Sequence, residues 1–158
     1  MPRSSDPRHY SYGSTAATAT SVGLVVGFDA ASVSRAAIVS GLLIIALADN
    51  ISDSLSIHMY QESENLETRA AFRTTVANFA ARLAVASSFI AIVLVVPMSI
   101  VPAASVIWAA LLLGSLTHII ARIRHVSPLR EMLKHVVVAF AVVAVSRILG
   151  GWIAATIH

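Results

Sequence analysis

Five apolar stretches separated by short polar segments organise this chain. They run over about residues 12–28, 36–60, 74–96, 103–123 and 132–157, each near the roughly 20 residues a helix needs to cross a bilayer. The first is built of small residues, YGSTAATATSVGLVVGF, and includes Gly23-Leu-Val-Val-Gly27. That spacing lets two membrane helices approach closely, although incidental glycines produce the same pattern. Arg3 and Arg8 before this stretch, with Ala30 and Ala31 after it, also suit a secretory signal peptide. Its opening Ser and Thr, in place of leucines, favour a membrane helix. The third stretch stops at Pro97, and PMSIVP predicts a tight hairpin, because proline interrupts a continuous helix. Ser127-Pro128 opens the fifth, the serine as N-cap and the proline in the first turn. The predicted fold is all-α: an integral membrane protein with one five-helix domain, residues 12–158, behind a polar tail, residues 1–11.

The second stretch breaks its own pattern. IVSGLLIIALADNISDSLSIHMYQESE begins apolar, then places Asp49 and Asp53 one helical turn apart. A carboxylate at membrane depth costs roughly 2.5–3.5 kcal/mol on insertion scales, so by default it marks a function. At about 100° per residue, Ser52, Asp49, Asp53, Ser56 and Tyr60 share one stripe, while Leu47, Ile51 and Leu55 lie away from it. An oxygen-lined seam on an otherwise greasy helix is a candidate cation pathway. Carboxylate and hydroxyl oxygens suit hard divalent ions.

Composition narrows the class. The chain is 57% hydrophobic and 12% charged, against about 25% charged in soluble domains, and its mean hydropathy is +0.80. A formal charge of +3 invites a nucleic-acid reading, but the basic residues flank apolar stretches, where they act as topology determinants. With five spans, Arg3, Arg8, Arg69, Arg73, Arg122, Arg124, Arg130 and Lys134 fall on one side and only Arg35 on the other. That asymmetry predicts a cytoplasmic N-terminus in a multi-pass cytoplasmic-membrane protein. There are no cysteines, which excludes thiolate metal sites and disulfides. No H-E-x-x-H, glycine-rich phosphate loop or G-x-S-x-G occurs, so the expectation is no enzyme.

Two basic residues sit inside apolar stretches. Arg147 falls near the middle of the fifth, where an arginine pairs with an acid or lines water. Bonded to Asp53, it would gate the path or close it. Arg82 is nearer the cytoplasmic side and is expected to snorkel. A static network of the two acids with these two bases is the structural alternative to a cation site. Glu62 and Glu64 extend the acidic character beyond the stretch and form a candidate vestibule. Trp108 and Trp152 suit interface anchors.

These residues also carry a family resemblance. Ala48-Asp-Asn-Ile-Ser with Ser63-Glu64, and Ser127-Pro-Leu-Arg130 before the last stretch, resemble the second-helix and fifth-helix signatures of the vacuolar iron transporter family. Tyr12-Gly13 falls where that family has an Asp-Gly. The resemblance implies a homodimer of five-helix protomers exporting Fe²⁺ or Mn²⁺ from the cytosol with proton coupling, along a path at the dimer interface. The metal is then cargo, with no permanently bound cofactor. It also implies a metal role for Asp49, with Asp53 where the family carries a methionine and Tyr12 where it carries an acid. Ser52, Ser56, Glu62 and Glu64 would complete the metal path, and Tyr12 and Arg147 would gate it. The cytosolic metal-collecting domain of many members is reduced here to Gln61–Arg73. The alternatives are a non-transporting membrane scaffold on the same fold and a proton or monovalent-cation pathway.

Overall fold

A computed structural model describes residues 8–63 and 68–157, which are all-helical with no strand among them. The elements are α1 (Arg8–Ala30), α2 (Arg35–Ile44), a π-helical turn (Ile45–Asp49), α3 (Asn50–Ser63), α4 (Thr68–Val95), α5 (Val101–Ile123) and α6 (Pro128–Thr156). Because α2, the π turn and α3 follow one another without a break, they make one rod, and the described residues form five rods in all. Four of these are long and apolar enough to cross a membrane, over Arg35–Tyr60, Phe72–Val95, Met98–Ile123 and Glu131–Thr156.

The rod outside that set, α1, is the centre of the bundle. It packs against α2, α4, α5 and α6, and Thr18, Ser21, Val22 and Val25 are fully buried. A helix wrapped by other helices has no need of a lipid-compatible surface, which explains its small, hydroxyl-bearing sequence. The hydroxyls are partly satisfied within the helix: Thr18 Oγ1 donates to the Ser14 carbonyl at 2.7 Å and Thr20 Oγ1 to that of Ala16 at 2.9 Å. The Gly23/Gly27 spacing is a packing seam for α6. A β-carbon at Gly23 would stand 3.0 Å from Ser146 Oγ and from Val142, and one at Gly150 would overlap the Gly27 carbonyl oxygen.

Around this centre Val22, Val25, Ile38, Leu42, Phe89, Val93 and Val101 form the apolar core. The outer surface is also greasy. On α6, Leu129, Phe140 and Ile148 are each at least 70% exposed, an outward apolar shell suited to lipid.

The connections follow the sequence with two corrections. Pro97 leads into a single 3₁₀ turn, Met98–Ile100, and Pro102 sits in the first turn of α5. Ser127 occupies the N-cap of α6 with Pro128 following, but its side chain makes no capping bond. The expected soluble loop at 61–73 is shorter than predicted, because α3 continues to Ser63 and α4 begins at Thr68. Arg35 does more than mark a side: its Nη1 and Nη2 donate to the Leu94 and Val96 carbonyls at 2.9 and 3.1 Å. A cation is favourable there, at a helix C-terminus whose last carbonyls lack intrahelical donors.

Candidate functional site

The π turn ends at Asp49, and α3 begins with the next residue. Single π turns interrupt α-helices frequently at functional sites, because the extra residue re-aims the side chains around it. Here the Asn50 N–H reaches back to the Ile45 carbonyl, and Asn50 turns into the interface with α4 at 1% exposure. Its Nδ2 donates to the Phe79 carbonyl at 2.9 Å. The α3–α4 contact is thus polar from its first turn.

Arg82 organises that contact. It is 5% exposed, with Nη2 on Asp49 Oδ2 at 2.5 Å and Nη1 on Asp53 Oδ2 at 3.2 Å. The predicted snorkelling does not occur, because two carboxylates one turn apart on the facing helix offer the guanidinium partners at its own depth. Asn78, one turn earlier on α4, donates through Nδ2 to the same Asp53 oxygen at 3.3 Å. Helix α1 completes the arrangement by what it lacks. A β-carbon on Gly13 would overlap Asn78 Oδ1 and stand 3.0 Å from Arg82 Cγ. Glycine at this position is what lets α4 present both side chains toward α3.

The two acids differ in environment. Asp53 is 26% exposed and lies toward the interface, whereas Asp49 is 52% exposed and opens outward. Two carboxylates against one guanidinium leave a formal charge of −1. Several polar atoms around them are buried without a hydrogen-bond partner: Asn50 Oδ1, Ser54 Oγ, Asn78 Oδ1 and Arg82 Nε. The oxygens among them are hard donors of the same class as the carboxylates. No group of three or more His, Cys, Asp or Glu side chains able to hold a metal occurs among the described residues.

The remaining predicted residues are dispersed. Ser52 and Ser56 are exposed on α3, and the Ser56 hydroxyl donates to the Ser52 carbonyl at 3.0 Å. The oxygen stripe therefore splits: Asp53 faces α4, Asp49 stands at its edge, and the serines face out. Glu62 pairs with His58, Nε2 to Oε1 3.3 Å, nine residues beyond Asp53, or about 13 Å along the helix. Glu64 and the side chain of Tyr12 lie outside the described residues, though the Tyr12 backbone is in α1 beside Gly13.

Arg147 pairs with neither acid, both of which are held by Arg82, and it is exposed on α6. Helix α1 serves as a ruler: Gly13 meets Arg82, and Gly23 meets Ser146. The ten residues between those glycines span about 15 Å, which separates Arg147 from the acids within a protomer. Trp108 also departs from expectation, since its Nε1 donates to Ser88 Oγ at 2.8 Å inside the bundle. Trp152 remains 60% exposed.

Sequence reasoning missed Asn50, Asn78 and Gly13. The available signal was that Asn78 and Arg82 lie four apart in an apolar stretch and so share one helix face. Compared with protein-family models, curated proteins and solved structures, the chain finds no match.

Proposed function

We propose that this chain is a divalent-cation transporter of the cytoplasmic membrane, exporting Fe²⁺ or Mn²⁺ from the cytosol in exchange for protons and working as a homodimer. The observation that carries the reading is the pair Asp49 and Asp53, set fifteenth and nineteenth in a 26-residue apolar span. One is drawn inward and the other left half open, with a residual charge of −1. Membrane-depth acids of this kind mark ion or proton paths. The open side of Asp49 faces away from its own bundle, where a two-fold partner would bring a second set of carboxylates. Four carboxylates at one axis would supply the oxygen-rich shell that a hard divalent ion takes. Tyr12, next to Gly13, would gate the inner end of the path. Glu62 and Glu64 would draw cations to the entrance, Ser52 and Ser56 would line the approach, and Arg147, about 15 Å along the bundle, would act only at its outer end.

One observation favours a second reading. Arg82 bridges both acids, as it would in a scaffold that keeps the ion pair for packing alone. Purified protein in liposomes separates these readings. With a divalent-sensitive dye inside, transport admits Mn²⁺ or Fe²⁺ and Asp53→Asn abolishes the signal. A scaffold shows no flux under any pH gradient, and a proton pathway acidifies a pH dye without metal.

A further inference from the structure

We propose that Arg82 is the resident counter-ion of this site, a tethered monovalent cation that an incoming divalent ion must displace and that monovalent ions cannot. The inference rests on the cation-site reading above and assigns that site its selectivity. In a buried network built for packing, each donor and acceptor is expected to find a partner, since a half-satisfied network is costly. This one is half satisfied. The Arg82 side chain is 6% exposed and its two Nη groups meet both acids, yet its Nε and the adjacent Asn50 Oδ1 and Asn78 Oδ1 are buried without partners. A guanidinium has five N–H donors in a rigid fork, and among the described residues this fork closes on the two carboxylates. Its Nε stays unpaired, so the arginine is held by its two Nη groups and not locked into a complete network.

The competition then depends on charge. Sodium or potassium brings one positive charge, no more than the guanidinium already supplies, and must displace a group held at the high effective concentration of a tethered partner. A divalent ion meets two carboxylates with twice the charge, and Coulomb attraction scales with that product. Half-exposed Asp49 gives it a first contact without Arg82 having to leave. Displacement from Asp49, then from Asp53, follows in that order because Asp53 is the more enclosed acid and is also held by Asn78. Arg82 thus sets a charge threshold for entry, and positions the acids while it waits.

The test uses the full chain in detergent, with thermal unfolding read in EDTA, in Mn²⁺ and in Na⁺ at matched ionic strength. Arg82→Gln should unfold at a lower temperature than wild type in EDTA, recover with Mn²⁺, and bind Mn²⁺ at least about tenfold more tightly, a difference of roughly 1.4 kcal/mol. It should also acquire a stabilising response to Na⁺ that wild type lacks. Arg82→Lys, which keeps the charge but cannot bridge two carboxylates with a planar fork, should bind Mn²⁺ more tightly than wild type and stay unresponsive to Na⁺; it carries the test if Arg82→Gln does not fold. Equal Mn²⁺ affinity in wild type and the variants overturns the proposal, as does a Na⁺ response in wild type. Unfolding in detergent needs no flux, so the two readings fail separately. Tighter Mn²⁺ binding by Arg82→Gln with no wild-type transport keeps the counter-ion and rejects the transporter. Wild-type transport with unchanged variant affinity does the reverse.

Discussion

Arg82 Nη1 lies 3.2 Å from Asp53 Oδ2 across the α3–α4 interface, and Asn78 donates to that same oxygen. One carboxylate oxygen therefore takes an ion pair and a hydrogen bond from one face of α4. Removing the arginine leaves both acids without their cation, and breaking a buried pair in this way costs about 3–5 kcal/mol. Half-exposed Asp49 moves the expectation for Arg82→Gln toward the lower end. Asp53→Asn should cost less than that, and the double variant Asp53→Asn with Arg82→Gln should be less destabilised than the sum, by about 1–3 kcal/mol. Chemical unfolding of the four proteins in one detergent measures the coupling. Additive losses would mean that the pair contributes nothing to the fold.

Gly13 is the second handle on the same cluster. Alanine there would overlap Asn78 Oδ1 and crowd Arg82 Cγ, so Gly13→Ala should destabilise by about 1–3 kcal/mol, as overpacking does. Asn78→Ala combined with Gly13→Ala should recover part of the loss, because the clashing atom is gone. Unfolding midpoints of the two single variants and the pair check this.

The α1–α6 seam offers an internally controlled comparison. A β-carbon on Gly150 would overlap the Gly27 carbonyl oxygen, which is backbone and cannot swing aside, whereas at Gly151 nothing lies within 4 Å. Gly150→Ala should therefore lower stability by about 1–3 kcal/mol, while Gly151→Ala should raise it by up to about 1 kcal/mol from helix propensity alone. Opposite signs at adjacent positions, read by thermal unfolding, are the expected outcome.

Arg147 provides the negative prediction. Exposed on α6 and about 15 Å along the bundle from the acids, it should leave their chemistry alone when replaced. Arg147→Leu should show the wild-type Mn²⁺ response in thermal unfolding, with stability changed by about 0.5 kcal/mol or less. A lost metal response would place Arg147 in the acid cluster.

Much of the architecture was legible in the residues. Pro97, Pro102 and Pro128 punctuate the apolar stretches, and the described helices follow those stretches closely. The first rod was legible only in part: its glycine spacing left close packing and incidental glycines both open. The approach of Gly150 to the Gly27 carbonyl decides for packing, and the rod's low hydropathy follows from its central place. The acids were legible because carboxylates in an apolar run stand out. Their partner was not, because choosing between Arg82 and Arg147 requires knowing that α3 lies against α4, and single-helix periodicity carries no neighbour information. The π turn was also invisible, since Ile45–Asp49 contains nothing that disfavours an ordinary α-helix. By re-aiming Asn50 inward, it placed the polar interface beside the predicted stripe, so Ser52 and Ser56 face outward.

The most direct measurement is Mn²⁺ flux per folded protein in liposomes, comparing wild type with Asp49→Asn and Asp53→Asn at matched reconstituted amounts. A cation path through this pair predicts metal entry in wild type and its loss in each variant that still folds. Flux that survives both substitutions, or no flux in folded wild type under any proton gradient, would contradict it.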